Sequence, residues 1–166
     1  MPQGEIGEVC ARGGNFMTDY WNKPEATDEV FANGWYHTGD AGYFDEDGYL
    51  FLVDRVKDMI VSGGENVYSS EVENAISSHP DVAQVAVIGI PDDTWGEAVH
   101  AIAVLEAAGS ADEEALIEHA RDSIAGYNVP KSIEVRDEPL PLSGATKVLK
   151  RELRAPYWEG KERGIN

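Results

Sequence analysis

The chain is poor in cysteine, in basic residues and in long apolar runs, and each shortage excludes a class of protein. Cys10 is the single cysteine among 166 residues, so no internal disulfide can form and a disulfide-stapled secreted scaffold is excluded. Thirteen Lys and Arg stand against 31 Asp and Glu, a formal charge of −18. General nucleic-acid binding, which calls for a basic face, does not fit that balance. No apolar run reaches the ~18 residues that a membrane span needs, and the start, MPQGEIGEV, has neither the basic region nor the apolar stretch of a signal peptide. A cytoplasmic protein with no transmembrane segment is the expectation. His37, His79, His100 and His119 form no i,i+4 pair, and none stands beside Cys10 at a metal-ligand spacing, so no metal site is expected. The G-x-S-x-G, G-x-G-x-x-G and G-x-x-x-x-G-K-[ST] patterns are absent, which removes the linear signatures of a serine hydrolase, a dinucleotide fold and a triphosphate cradle. Asp45 and Asp47 begin like a calcium loop, but the remaining ligand positions do not follow.

What is present suffices for a folded domain. Hydrophobic residues make up 42% of the chain, with four Trp and seven Tyr, enough for a core despite the charge. The charge is uneven. Residues 1–146 carry −21 and residues 147–166 carry +3, from Lys147, Lys150, Arg151, Arg154, Lys161 and Arg163 against Glu152, Glu159 and Glu162. Such a tail is either a solvated amphipathic helix or a local site for an anionic small molecule.

The pattern predicts a strand over Glu5–Arg12, a short helix over Glu25–Phe31 behind Pro24, and β-type runs from Trp35 to Val53 folded about an Asp45–Gly48 turn. Beyond Asp54 it changes to mixed α/β. A short strand over Asp58–Ser62 ends at Gly63-Gly64. Ser70 and Glu73 are spaced as a capping box for a helix over Glu71–Ser78. Apolar strands follow over Val82–Ile90 and Ala98–Leu105. Ser110 and Glu113 repeat the capping-box spacing before a helix to about Ile124. A third strand, Ser132–Val135, and a last helix, Val148 to about Arg154, complete an α+β unit of about three strands with helices, behind a β-rich lead-in.

Three segments carry a more specific signal. YHTGD (36–40), DRVKDMIVSGGENVYSSEVE (54–73) and LPLSGATKVLKRELR (140–154) occur in an order and spacing that resembles the adenylate-forming acyl- and aryl-CoA ligases. PDDTWGEAV (91–99), YNVPKSIE (127–134) and the leading GEIGEVCARGGNFMTDYWNKPEAT fit the same pattern, so the resemblance covers nearly the whole chain.

The resemblance implies two half-reactions. A carboxylic acid and ATP give an acyl-adenylate and pyrophosphate, and the thiol of CoA then displaces AMP. In such ligases a large N-terminal part holds the phosphate loop, the acyl pocket and most of the hold on Mg2+, and a small C-terminal lid rotates between the steps. This chain resembles the end of the large part (residues 1–54) followed by the lid (residues 55–166), with a hinge near Lys57. It is thus expected to be a fragment of a fatty-acid or related carboxylate ligase, inactive alone and prone to self-association through residues 1–54. An amino-acid adenylation domain, a luciferase-like enzyme and a non-catalytic docking module are the alternatives.

By the same resemblance, Asp40 accepts from the ribose hydroxyls, Arg55 contacts ribose and phosphates, and Lys57 is the hinge. Gly63 and Gly64 border the pantetheine tunnel with Trp95 near CoA, Tyr127 and Lys131 flank the CoA nucleotide, and Lys147 reaches the α-phosphate and the substrate carboxylate during adenylation. Each has a plainer reading as a turn carboxylate, a solvated cation, a tight turn or a loop aromatic. Two departures stand out: Thr146 where many relatives have Gly, and Ser69 where Pro is frequent. Should the loop require positive φ at 146, a β-branched residue there is strained.

Overall fold

In the computed structural model, which describes residues 1–161, the chain divides into two compact units, Met1–Val56 and Lys57–Asn166. Glu162 and Arg163 of the basic tail lie outside the described residues.

In the first unit, strands β1 (Gly7–Ala11), β2 (Tyr36–Phe44) and β3 (Leu50–Arg55) form an antiparallel sheet in that order. Helix α1 (Pro24–Val30) connects β1 to β2, with proline in its first turn where no backbone donor is needed. It ends in the Ala32–Gly34 turn, where Asn33 takes φ 57°. Tyr36-His37 and Tyr43-Phe44, separate runs in the sequence, are two ends of one nine-residue strand, with Trp35 just before it. Gly42 permits this, because a Cβ there would lie 2.5 Å from the Phe51 carbonyl oxygen across the sheet. The Asp45 carboxylate accepts from the backbone N–H of Asp47 (3.0 Å) and Tyr49 (2.8 Å), closing the hairpin as a turn cap.

The second unit is organised around the long hairpin of β6 (Val82–Asp92) and β7 (Gly96–Leu105). β8 (Ser132–Arg136) joins β7 in parallel through a crossover containing α3 (Glu113–Arg121). A small hairpin, β4 (Ile60–Ser62) and β5 (Glu65–Val67), attaches to the start of β7. The sheet therefore has five strands, where the apolar runs predict about three. β5 escapes the pattern because Glu65-Asn66-Val67 offers one buried side chain, and its partner is fixed by the Gly63-Gly64 turn.

Alternate residues of β6 and β7 face opposite sides, and both sides are covered. Val87, Val99, Ala101 and Ala103 pack with Val72 and Ile76 of α2 (Ser69–Ser77) and with Leu116 and Ala120 of α3. Ala86, Ile88 and Ile102 pack with Leu140 and with Leu153 of α4 (Lys150–Arg154), beside Tyr157 in the following turn Ala155–Trp158. This double cover explains why Val82–Ile90 reads as a nearly unbroken apolar run.

Neither expected capping box starts its helix. α2 begins at Ser69, so Tyr68 and not Ser70 holds the cap position, with no cap bond from its side chain; Glu73 reaches the sheet, accepting from the Val87 backbone N–H (2.8 Å). α3 is capped by Asp112, which accepts from Ala115 N–H at 2.9 Å. The Ser110 and Ala111 N–H groups are taken by Asp81, about thirty residues back, and Glu113 accepts from Ile133 N–H. At α3 both Ser110 and Asp112 could cap, and Asp81 takes the Ser110 N–H while Asp112 caps the helix. Nor does the last helix begin at Val148: Val148 is bridged to Leu142, and α4 starts at Lys150.

Candidate functional site

In the first unit, Asp40 and Arg55 are register partners across β2 and β3, with Arg55 Nε 3.3 Å from Asp40 Oδ1. Thr38 Oγ donates to the Val9 carbonyl and accepts from Asp40 N–H, holding the strand that presents the carboxylate. Arg55 is 67% exposed and Asp40 39%, so the pair faces solvent and adds little stability of its own. An ionised carboxylate paired this way keeps acceptor capacity for two hydroxyls of one sugar.

Beside it the sheet assembles a group that linear spacing conceals. Cys10 and His37 are directly opposed in register, and Glu8 lies two residues before Cys10 on the same strand face. His37 Nδ1 is 2.7 Å from Glu8 Oε2 and 3.5 Å from Cys10 Sγ. The hydrogen bond to Glu8 is the largest cause raising the His37 pKa above the ordinary histidine value. The Cys10 thiol is also pushed up, by burial first and then by Glu8. These donors do not suit Mg2+, which prefers carboxylate, phosphate and water oxygens. Among the described residues no other group of three or more His, Cys, Asp or Glu converges as metal ligands would.

In the second unit, Lys57 is exposed in the short turn Val56–Asp58. Asp58 beside it accepts from Arg154 Nη2 at 3.1 Å, tying the turn to α4. Gly63 and Gly64 form the β4–β5 turn with φ of 61° and 90°, values that favour glycine. The two glycines differ in surroundings. A Cβ on Gly63 would lie 2.4 Å from the Trp95 indole, while one on Gly64 would meet nothing within 4 Å. Gly63 therefore makes room for Trp95, and its N–H donates to the Trp95 carbonyl at 2.9 Å. Asp92 accepts from Thr94 and Trp95 N–H groups at 2.8 Å each, and these bonds, Trp95 first, hold its carboxyl below the usual range. Lys131 Nζ lies 5.3 Å from the ring centroid of Trp95, a cation–π contact. Gly63, Trp95 and Lys131 thus form one cluster. Tyr127, 58% exposed, stands in the turn before β8, four residues ahead of Lys131.

Lys147 is exposed in a tight loop, not at a helix start. Ser143 N–H donates to the Lys147 carbonyl (2.8 Å), and Ser143 Oγ accepts from Lys147 N–H (3.2 Å). Thr146 adopts φ 60°, so the loop does place a β-branched residue in the left-handed region. Lys150, the next lysine, is spoken for: its Nζ is 2.7 Å from both Ser69 Oγ and Glu73 Oε1, and its side chain is 15% exposed.

Residues 71–147 match the family model of the AMP-binding enzyme C-terminal domain. A feruloyl-CoA synthase of an Amycolatopsis species is 49% identical over 95% of this chain, and a long-chain-fatty-acid–CoA ligase of Escherichia coli O157:H7 is 49% identical over 91%. Among solved structures, ATP-bound MatB from Rhodopseudomonas palustris superposes with TM-score 0.87 at 35% identity over 98% of the chain. The o-succinylbenzoate CoA synthetase of Bacillus subtilis, in complex with its acyl-adenylate intermediate, gives 0.83 at 40% identity over 92%. The chain spans about a third of the length of these relatives: 32% of the feruloyl-CoA synthase, 27% of the fatty-acid ligase, 32% of MatB and 31% of the succinylbenzoate enzyme. With the motifs, the lid-like second unit and these likenesses together, the chain belongs to the adenylate-forming ligases and corresponds to their C-terminal part.

Proposed function

We propose that the chain serves a cytoplasmic, ATP-dependent carboxylic acid–CoA ligase, supplying the edge of the nucleotide site and the moving lid. The contrast between Lys147 and Lys150 carries this reading. Of two lysines three residues apart, one is consumed by Glu73 and Ser69, and the other stands exposed at the tip of a hydrogen-bonded loop. Exposed and held at its backbone, Lys147 suits an anion that arrives with substrate. In the first half-reaction the carboxylate oxygen attacks the α-phosphorus and pyrophosphate leaves; Lys147 offsets charge on the α-phosphate as the bond forms. Asp40 accepts from the ribose hydroxyls, and Arg55, its ion-pair partner, turns toward ribose and phosphate. Mg2+ would be held by residues outside this chain.

In the second half-reaction the CoA sulfur attacks the acyl carbon and AMP leaves. Lys57, first residue of the second unit, is the hinge on this reading. The Gly64 side of the β4–β5 turn borders the pantetheine arm, since Gly63 already accommodates Trp95, and Lys131 with Tyr127 lies toward the CoA nucleotide. The relatives named above act on feruloyl, long-chain fatty acyl and succinylbenzoyl groups, so the acid is set by parts of the ligase beyond this chain.

The test is Lys147→Ala in the full-length ligase, with the half-reactions assayed separately. Pyrophosphate exchange should fall on the order of 10²- to 10³-fold, while supplied acyl-adenylate and CoA should still give thioester. Equal loss in both would refute the role assigned to Lys147.

A further inference from the structure

We propose that Glu8, Cys10 and His37 form a Zn2+ site on the first sheet, with one coordination position left to solvent. This does not depend on the ligase reading. Three donor atoms of different chemistry, a thiol sulfur, an imidazole nitrogen and a carboxylate oxygen, all lie within 4.8 Å of one another. The 3.5 Å between Cys10 Sγ and His37 Nδ1 matches the separation of about 3.5 Å that Zn–S near 2.3 Å and Zn–N near 2.0 Å give at a tetrahedral angle. Glu8 Oε2, at 2.7 Å from Nδ1, needs to withdraw by about 0.6–0.8 Å to reach the roughly 3.3–3.5 Å that Zn–O and Zn–N bonds give at the same angle.

Hydrogen bonding alone serves this group poorly. Nδ1 carries either a proton to give to Glu8 or a lone pair to accept the Cys10 proton, not both. A metal ion in place of those protons uses the lone pairs of all three groups. The supporting contacts are those a ligand set needs: Gly39 N–H donates to the other Glu8 oxygen at 3.2 Å, and the His37 ring has a backbone hydrogen-bond partner at Ala32. The ligands also line a cavity of about 680 Å³ together with Val9, Trp35 and Tyr43, which gives an ion a way in and leaves room for a water ligand. Thiolate with imidazole selects zinc over magnesium or calcium.

The 166-residue chain, kept reduced, should bind one equivalent of Zn2+ by titration calorimetry. Co2+ in its place should give a thiolate-to-cobalt charge-transfer band. Cys10→Ser should abolish the band, and Glu8→Gln should weaken Zn2+ binding at least roughly 10-fold. Both residues are exposed, and circular dichroism of each variant checks that the fold survives. His79→Gln should leave the affinity unchanged, which separates this site from the His79–His119 ring pair on the other unit. The absence of a zinc isotherm, a cobalt band that persists in Cys10→Ser, or a loss caused by His79→Gln would each overturn the proposal.

Discussion

In Lys57–Asn166 the apolar residues of β6 and β7 alternate between two covered faces, whereas in Met1–Val56 the sheet leaves Phe44, Leu50, Phe51 and Leu52 exposed. Among the described residues of the first unit, Ala41 is the one buried apolar side chain, and Trp21 is 85% exposed. Both units have strands of the same character. What differs is the second layer. A sheet with helices on both sides closes its own core, while three strands with one seven-residue helix cannot cover themselves. The chain spans about a third of its relatives, and we propose that the remainder of a ligase supplies the missing layer.

The largest expected effect comes from cutting between Val56 and Lys57. Residues 57–166 alone should unfold in one cooperative thermal transition. Residues 1–56 alone should self-associate, because β3 is an edge strand of the sheet and exposed aromatics flank it. Light scattering reporting a strict monomer, with hydrogen-exchange protection throughout residues 5–53, would break the comparison. Single substitutions should sharpen it. Ile76→Ala, in the core between α2 and the sheet, should cost about 2–5 kcal/mol by chemical denaturation. Leu52→Ala, 63% exposed, should stay within about 0.5 kcal/mol. Comparable losses at the two positions would mean that the first unit has a core after all.

Local chemistry made much of this legible in the sequence. Pro24 opens α1, the Asp45–Gly48 turn closes its hairpin, and the apolar runs mark β6, β7 and β8. What stayed hidden depends on partners distant in sequence. Asp81, not Ser110, organises the entry to α3, and Glu73 reaches the Val87 N–H on the sheet and the Lys150 ammonium. For the candidate site, the motifs locate Asp40, Arg55 and Lys147, but they do not separate Lys147 from Lys150, since the Ser69 that binds Lys150 is 81 residues away. They also treat Gly63 and Gly64 alike, though only one has an indole against it. Cys10 and His37 are 27 residues apart, and a cross-strand register is needed to see them as neighbours.

The two units should also respond oppositely to pH. His100, buried on β7, is shifted below the ordinary histidine value, chiefly by desolvation, against the raising influence of Glu134, Glu113 and Ser132. Its ring bonds Ser132 Oγ through Nδ1 and the Tyr157 hydroxyl through Nε2, and that hydroxyl also donates to Glu134. Since the folded value is depressed, the contribution is complete above the unfolded pKa of about 6.5 and is lost as pH falls through the folded one. His37 has the opposite sign: its folded value is raised, so its contribution is complete below about 6.5 and is lost as pH rises through the folded value. Histidine resonances followed by NMR should titrate with His37 above His100. In His100→Gln, the fall in Tm on acidification from pH 7 to 5 should be shallower than in the parent chain. The reverse order of titration would contradict both environments.

A small effect is expected at Thr146, and it bears on how each unit manages a left-handed backbone. The first unit places Asn22 and Asn33 at positive φ, a residue type whose short polar side chain tolerates that region. The second unit places Thr146 there at φ 60°, immediately before Lys147. A β-branched side chain in this conformation costs roughly 1–2 kcal/mol, and the Thr146 hydroxyl recovers part of that through its 2.7 Å bond to the Ala145 carbonyl. Glycine removes the steric cost but loses more backbone entropy on folding, by about 0.5–1 kcal/mol. The net of Thr146→Gly is therefore a stabilisation of a few tenths of a kcal/mol to about 1 kcal/mol, read as a higher denaturant midpoint with an unchanged slope. Asn33→Gly, where the native residue already suits its φ, should gain nothing. If Thr146→Gly instead lowered the midpoint, the hydroxyl bond would outweigh the strain, and Thr146 would be a fixed part of the loop that presents Lys147 and not a tolerated misfit.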